Sequence, residues 1–168
     1  MPPPPVELFR RLTCGVYVVT VSHDGRRGGF TAAWVTPVSF DPLMVAVSIN
    51  AGNATWALIE KGHRFAINVL ESGQHDVARR FGLQSGRDVD KFSGVRTLTA
   101  SDGSLILADA VSWLGCRVDQ HLPAGDHLVV IARVVSGDVL NATAAPMRYA
   151  ETGNMDGSVE LYPDELDD

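Results

Sequence analysis

Residues 15–36 read GVYVVTVSHDGRRGGFTAAWVT, and this stretch decides the fold class. Residues 15–22 are rich in β-branched side chains, which favour a strand. The connection over residues 23–29 contains Asp24-Gly25, a pair that supplies the positive φ angles of a tight hairpin turn. A second strand is expected over residues 30–36. The stretch therefore predicts an antiparallel hairpin.

The rest of the chain alternates short strands with short helices. Asn53 is predicted to cap a helix that runs through Lys61. Residues 37–42 are predicted to interrupt the strand pattern, and residues 83–104 to form a loop, since they carry Gly, Asp and Ser without a clear period. Further strands are predicted at residues 43–50, 64–70, 110–121, 127–140 and 147–150, and further helices at residues 6–12 and 73–81.

Strands joined by hairpins and flanked by short helices favour an antiparallel barrel, with a β-sandwich as the alternative. A length of 168 residues suits a single domain over residues 1–168. The proline tract places residues 1–8 in an expected extended N-terminal arm. Residues 151–168 are expected to form an acidic C-terminal tail, either exposed or laid on a partner.

Charge and hydropathy exclude several classes of protein. With 14 basic and 20 acidic side chains the net charge is −6, which argues against non-specific nucleic-acid binding. No apolar run approaches the roughly 18 residues of a membrane span, and no signal-peptide pattern is present, so we expect a cytoplasmic protein without membrane attachment. Cys14 and Cys116 are expected to be buried free thiols.

Common catalytic and nucleotide-binding motifs are missing from the sequence. It contains no GxGxxG after a strand, no GxxxxGK[ST] and no GxSxG. His121, Asp126 and His127 are the one metal-like grouping, and residues at strand ends and turns commonly face solvent. We therefore expect no metal site.

Residues 31–39 form the first candidate site. The small side chains of Ala32 and Ala33 would let a flat ring approach the backbone, and the hydroxyls of Thr31, Thr36 and Ser39 can bond to its heteroatoms or to a phosphate. A surface hairpin with ordinary turn hydroxyls fits this segment equally well.

The second candidate site lies where a strand runs into a helix. Ser48, Ile49 and Asn50 end the strand, and Asn53 and Thr55 begin the helix, whose free N–H groups favour a phosphate. A plain N-cap is the alternative. Two further groups, Asp90-Lys91-Phe92 and Gly125-Asp126-His127, offer a cation beside an aromatic ring and a titratable ring at a strand start.

In their order along the chain, these segments resemble the flavin reductase-like, FMN-binding split-barrel family. The resemblance runs from about Phe9 to Tyr149 and is carried by short segments at residues 9–10, 15–20, 31–42, 45–49, 65–70, 74–81, 90–92 and 125–127. It implies a mainly β fold with short helices, an antiparallel split β-barrel of Greek-key type. It also implies a homodimer that binds FMN, with FAD as a possible substitute.

The resemblance also assigns roles to individual residues. It implies that residues 31–39 and 68–70 hold the isoalloxazine, mainly through backbone groups, and that Ser48, Asn53, Thr55 and Lys91 serve the ribityl chain and phosphate. It places His127 near the nicotinamide, as the expected catalytic residue. The expected flavin-binding residues are Thr31, Ala32, Ala33, Trp34, Thr36, Pro37, Val38, Ser39, Ser48, Ile49, Asn50, Asn53, Thr55, Asn68, Val69, Leu70, Lys91 and Phe92.

The activity implied is an NAD(P)H-dependent flavin reductase, with NADH or NADPH as donor and a monooxygenase as possible recipient of the reduced flavin. One alternative is an FMN-bound electron carrier, like a flavoredoxin, reduced by a redox partner protein. Another is a non-catalytic module for a different ligand, such as haem or a nucleotide. Residues 150–154 replace the Arg-Gly-aromatic stretch of many reductases, which weakens the expectation of nicotinamide use more than that of flavin binding.

Overall fold

A computed structural model describes residues 3–166. Its helices are α1 Pro5–Phe9, α2 Ala54–Gly62 and α3 His75–Leu83, with 3₁₀ turns at Tyr149–Thr152 and Ser158–Leu161. Its strands are β1 Tyr17–His23, β2 Arg26–Ala32, β3 Val35–Phe40, β4 Leu43–Asn50, β5 Arg64–Val69, β6 Thr97–Thr99, β7 Leu105–Leu107, β8 Ser112–Ala124 and β9 His127–Val139. The prediction of a mainly β protein with short helices is confirmed.

Seven strands form one antiparallel sheet in the order β2-β1-β5-β8-β9-β4-β3, and β6 pairs with β7 separately. The main core takes buried side chains from both halves of this sheet, among them Phe30 of β2, Val19 of β1, Val47 of β4 and Val130 of β9. The sheet therefore curls around its core, and β2 and β3 are its two edges.

The first hairpin forms as the sequence indicates, but its second strand begins earlier. His23 pairs with Arg26, which leaves Asp24 and Gly25 as a two-residue turn with φ angles of 48° and 72°. Pairing therefore starts directly after the turn and runs through the glycines of β2. A Cβ at Gly29 would lie 2.9 Å from the Phe81 ring, so glycine here makes room for α3.

The predicted interruption at residues 37–42 is wrong for most of its length, because β3 continues through Pro37 to Phe40. Its register shifts between Pro37 and Ser39, where the ladder contains a bulge. Proline has no N–H to donate, and an edge strand tolerates this because one of its sides has no partner strand.

The helices and the long hairpin follow their predicted positions with shifted ends. Asn53 caps α2 through a bond from Thr55 N to its Oδ1 of 2.8 Å, and the helix ends at His63 in the left-handed conformation. Helix α3 starts at His75 rather than residue 73 and passes through Gly82, which was expected to end it. Strands β8 and β9 extend to a tight turn at residues 125–126, and β6 lies within the predicted loop.

The chain ends differ most from expectation. Pro5 starts α1, so the expected extended arm is wrong at residues 5–8; proline fits a first helical turn, where its missing N–H has no partner to lose. Met1 and Pro2 lie outside the described residues. The predicted strand at residues 147–150 is reduced to one bridge, Gly15 with Arg148, followed by a 3₁₀ turn.

The acidic C-terminal segment folds back on the chain as far as the structure describes it. Tyr149 Oη donates to Asp156 Oδ2 at 2.8 Å, and the ring of Tyr162 lies 5.2 Å from that of Phe9. Residues 167 and 168 of the predicted tail lie outside the described residues. Within residues 3–166, no helix is both long enough and apolar enough to span a bilayer.

Candidate functional site

A polar pocket of about 220 Å³ opens between the end of β2, the start of α2 and the end of α3. Four residues predicted from sequence line it, namely Thr31, Asn53, Thr55 and Lys91. We call this cavity the polar pocket. It is completed by Phe30, Gly52, Ala54, Phe81, Gly82, Gln84, Ser85, Gly86 and Arg87.

The start of α2 gives the polar pocket a backbone donor. Asn53 Oδ1 accepts from Thr55 N, and Asn53 O accepts from Trp56 N at 3.1 Å. Among residues 3–166 the N–H of Ala54 has no acceptor within the chain. A first-turn N–H and the positive end of the helix dipole favour an anion here.

Lys91 supplies a buried cation at the same pocket. Its ammonium donates to Gly29 O at 2.9 Å and to Phe81 O at 3.0 Å, and the residue is only 7% exposed. Both partners are neutral carbonyls, and in the described part of the chain no carboxylate pairs with it. Burial lowers the pKa of Lys91. An anion in the pocket would bind the third ammonium proton and offset the cost of burying the charge.

The two threonines at the pocket differ in what they can offer a ligand. Thr31 Oγ1 donates to the carbonyl of Ala78 at 2.7 Å, so its proton already ties β2 to α3. Its oxygen lone pairs remain able to accept. Thr55 is 5% exposed and packs against the start of β2 near Gly28.

Trp34, which follows the end of β2, forms an aromatic pair with His127, the first residue of β9. Their ring centroids lie 5.1 Å apart at 49°, and Trp34 is 45% exposed. Asp126 Oδ1 contacts His127 Nδ1 at 2.6 Å, and this hydrogen bond is the main reason why the pKa of Asp126 lies below its usual value. Strand β4 positions both rings, because Ser48 N donates to Trp34 O at 3.0 Å and Asn50 pairs with His127.

Short stretches of chain join the polar pocket to the Trp34–His127 pair. Thr31 lines the pocket and Trp34 follows three residues later, about 10 Å away along an extended chain. On the other side, Asn50 pairs with His127 and accepts at its carbonyl from Asn53 N at 2.9 Å. The result is an elongated site, polar and cationic at one end and aromatic at the other.

A larger cavity of about 440 Å³ borders the far side of Trp34. Its walls come from α1 and from the C-terminal segment that folds back on the chain, and they include Phe9, Arg10, Tyr149 and Tyr162. This cavity was not predicted, because the N-terminal residues were expected to be extended and the C-terminal residues to be exposed or laid on a partner.

Five predicted flavin-binding residues are buried and do not line the polar pocket. They are Ala32, Ile49, Asn68, Leu70 and Phe92. The side chain of Asn68 is fully used: Nδ2 donates to Val18 O and Thr20 Oγ1, and Oδ1 accepts from Leu107 N. Asn68 therefore serves the packing of the sheet.

The backbone at residues 68–70 is also in use. Val69 O accepts from Val111 N at 2.8 Å, while Leu70 N donates to Val16 O at 3.2 Å and Leu70 O accepts from Met147 N at 2.8 Å. The expectation that residues 68–70 hold a ring through backbone groups stays a prediction.

The remaining predicted residues follow Trp34 along the sheet edge. Ala33 links β2 to β3, and β3 itself carries Thr36, Pro37, Val38 and Ser39. The hydroxyl of Thr36 contacts the carbonyl of Pro37 at 3.3 Å. None of these residues lines the polar pocket, so their predicted contact with a flavin stays a prediction.

Sequence reasoning missed Ala54 and the segment Gly82 to Arg87 at the polar pocket. The cap at Asn53 was a usable signal for Ala54, since its N–H belongs to the first helical turn. Arg87 lies in a stretch without periodicity, and only tertiary folding brings it to α2. Within residues 3–166, no group of three or more His, Cys, Asp or Glu side chains is arranged to hold a metal ion.

Comparison with known proteins gives consistent matches. The model of the flavin reductase-like domain matches residues 9–157. Diflavin flavoprotein A 1 of Synechocystis sp. is 33% identical over 146 residues, which cover 86% of this chain and 26% of the relative. The chain thus spans about a quarter of the length of the curated relatives it matches.

Solved structures share the fold. The NADH:FAD oxidoreductase SgcE6 of Streptomyces globisporus C-1027 superposes with a TM-score of 0.78 at 28% identity, covering 84% of this chain and 83% of that one. An FMN-binding protein from Thermus thermophilus, with bound 1-cyclohex-2-enone, gives a TM-score of 0.75 at 28% identity, with coverages of 83% and 78%. The split-barrel class inferred from sequence is confirmed by these neighbours.

Proposed function

The chain belongs to the flavin reductase-like family, and on that premise we propose that it is an NAD(P)H-dependent flavin reductase that binds flavin in the site described above. The observation that carries the proposal is the elongated site itself. In it, residues 31–34 connect the polar pocket to Trp34, which pairs with His127, and we propose that a flavin with a terminal phosphate spans the two ends. Oxidoreductase and flavoprotein relatives support it.

The residues present fit a flavin phosphate. The N–H of Ala54, the third proton of Lys91 and the guanidinium of Arg87 converge on the polar pocket and complement an anion. Thr31, Asn53 and Thr55 would line the ribityl chain, and the segment from Ala33 to Trp34 would lie along the ring.

When bound, the flavin supplies the acceptor for the hydride of a reduced nicotinamide. The protein's part is to bind and orient both molecules. The ring of His127, held by Asp126 and packed on Trp34, would form one wall of the space where the nicotinamide lies.

We propose that the chain works as a homodimer through its β3 edge. Val38 and Phe40 of β3, the strand with one free side, and Leu43 at the start of β4 expose 50%, 99% and 51% of their surface. Exposed apolar edge strands favour pairing with another chain. We place this single domain in the cytoplasm, where reduced nicotinamide is available to it.

A second candidate function is an FMN-bound electron carrier reduced by a protein partner. The matched region covers only about a quarter of the diflavin flavoprotein relatives, so the matched unit works in them beside other protein parts. A net charge of −6 would also favour docking to a basic redox partner.

The test is an anaerobic absorption titration of the flavin-reconstituted protein with NADH and then NADPH. Bleaching of the flavin band at a useful rate is the expected result. A flavin that binds but stays oxidised would favour the electron-carrier function over the reductase. A protein that binds no flavin would contradict both functions.

Two variants locate the roles within the site. We expect His127→Ala to lower the rate of bleaching while FMN affinity stays within about twofold. Lys91→Met should do the opposite, weakening FMN much more than riboflavin, which lacks the phosphate. Equal turnover in His127→Ala would remove His127 from the catalytic role.

A further inference from the structure

A third cavity, of about 480 Å³, lies beside the polar pocket. One wall is the β1–β2 turn with the start of β2, over residues 25–29, and the other is the loop over residues 86–92. We call it the arginine cavity, because Arg26, Arg27 and Arg87 line it together with Lys91.

The arginine cavity concentrates positive charge on an acidic protein. The whole chain carries −6, yet four cations line this cavity against two carboxylates, Asp88 and Asp90. Asp90 is paired with Arg27 at 3.2 Å. In the part of the chain that the structure describes, Arg26 and Arg87 form no salt bridge. Two guanidinium groups are therefore free to bind an external anion.

One of the arginines is held in place. The guanidinium of Arg27 lies 4.9 Å from the centroid of the Phe92 ring while bonding to Asp90. Phe92 is itself buried against Phe81, with ring centroids 5.1 Å apart. A ligand in the cavity would thus meet one ordered and two free guanidinium groups, and this fork geometry suits phosphate oxygens.

The two cavities are adjacent and share part of their lining. Gly86, Arg87 and Lys91 line both of them, so an anion in the polar pocket and an anion in the arginine cavity would share cations. Gly28 and Gly29 form the floor of the arginine cavity without side chains. Adjacent phosphates of one ligand fit this arrangement better than two separate ions, because neighbouring anions repel unless they are bridged.

We propose that the arginine cavity binds the second phosphate and the nucleoside of a flavin dinucleotide, so that the preferred flavin of this chain is FAD rather than FMN. The inference rests on the proposed function, because it places the first phosphate in the polar pocket. FMN would leave Arg26 and Arg27 without a ligand, whereas the diphosphate of FAD reaches past Lys91 to both.

The experiment compares the affinities of FMN and FAD for the full chain by fluorescence titration at low and at physiological salt. We expect FAD to bind at least about tenfold more tightly, with a steeper loss of affinity as salt rises. Arg26→Gln should lower FAD affinity at least about fivefold and leave FMN affinity within about twofold, since Arg26 lines the arginine cavity alone.

Arg117→Gln is the matched control. This arginine is exposed on β8 and lines neither cavity, so the same loss of charge should change neither affinity. Equal affinities of FMN and FAD, unaltered in Arg26→Gln, would overturn the inference and leave the proposed function intact. Failure of both flavins to bind would instead overturn the proposed function.

A titration with NADPH tests whether the arginine cavity binds the nicotinamide nucleotide instead of FAD. If Arg26→Gln weakens NADPH binding to the FMN-loaded protein and leaves FAD affinity unchanged, the cavity belongs to the nicotinamide nucleotide and the inference is overturned. Unchanged NADPH binding, together with weakened FAD binding, supports it.

Discussion

The two edge strands of the seven-stranded sheet differ in how they are covered: other parts of the chain pack on β2, whereas β3 is exposed. At the β2 edge, Phe81 of α3 packs on Gly29, Thr31 donates to α3, and Lys91 donates to the Gly29 carbonyl. At the β3 edge, Phe40 is 99% exposed and β3 has a partner strand on one side only.

The difference shows what covering an edge produces. Helices α2 and α3 protect β2 with the chain's own residues, and the gap between them becomes the polar pocket. Nothing within the described residues covers β3, so we expect a second molecule to protect it, in line with the proposed homodimer. In the proposed function, one edge contributes to the ligand site and the other to the assembly.

The largest expected effect comes from removing the cover of β2. Phe81→Ala should lower the free energy of unfolding by about 3–5 kcal/mol, because the ring is 1% exposed and contacts both Gly29 and Phe92. Urea unfolding followed by circular dichroism measures it. Leu83→Ala, on the same helix but 52% exposed, is the control and should cost far less.

A negative charge on the exposed β3 edge should weaken dimer formation and leave the fold intact. Phe40→Asp is expected to weaken dimer formation by about 2 kcal/mol or more, since it puts a carboxylate into an apolar contact. Sedimentation velocity across a dilution series measures the change. Leu161→Asp alters a residue that is 82% exposed elsewhere, and it should keep the wild-type state. A wild-type protein that is monomeric throughout would contradict the comparison.

A threonine on each edge gives a matched pair of smaller effects. Thr31→Val removes the bond to the Ala78 carbonyl and should lower stability by about 0.5–1.5 kcal/mol. Thr36→Val alters an exposed hydroxyl on β3 and should stay within about 0.5 kcal/mol. Equal changes in thermal or urea unfolding would remove the contrast between the edges.

The smallest effect concerns pH at the polar pocket. Burial lowers the pKa of Lys91, whereas a bound phosphate favours its charged form. FMN affinity should therefore fall, by about two- to fivefold, as the pH rises towards that lowered pKa. Riboflavin affinity, measured alongside, cancels effects on the ring, and Lys91→Met should abolish the difference. An identical pH profile for FMN in Lys91→Met would contradict the role of this lysine.

Sequence reasoning succeeded where local chemistry is decisive. The Asp24-Gly25 turn and the Asn53 cap need only neighbouring residues, and both formed as predicted. The long hairpin of β8 and β9 followed from β-branched composition and a glycine turn. Lys91, a candidate both from its local pattern and from the resemblance, lines the polar pocket, and its predicted role at a flavin phosphate stays a prediction.

Failures arose where tertiary contacts decide the role of a polar group. The resemblance assigns Asn68 to the flavin site, which stays a prediction, and the sequence did not indicate that the core uses both its amide atoms. Pro37 looks like a strand breaker, and only its place at the sheet edge makes it tolerable. Arg87 carried no signal, since its neighbours in space come from α2 and β2 rather than from its own loop.

The contact between Phe9 and Tyr162 has a consequence for how such a unit can be built into larger proteins. Together with the bond from Tyr149 N to Cys14 O at 2.8 Å, it brings the two described ends of the chain to one face. A module whose ends meet can be spliced into a host polypeptide at a single surface loop, or reopened elsewhere by circular permutation, without stretching its sheet. The loop near Gly86 and the turn at Gly125 offer two contrasting sites for new termini: one beside the polar pocket and one next to the Trp34–His127 pair.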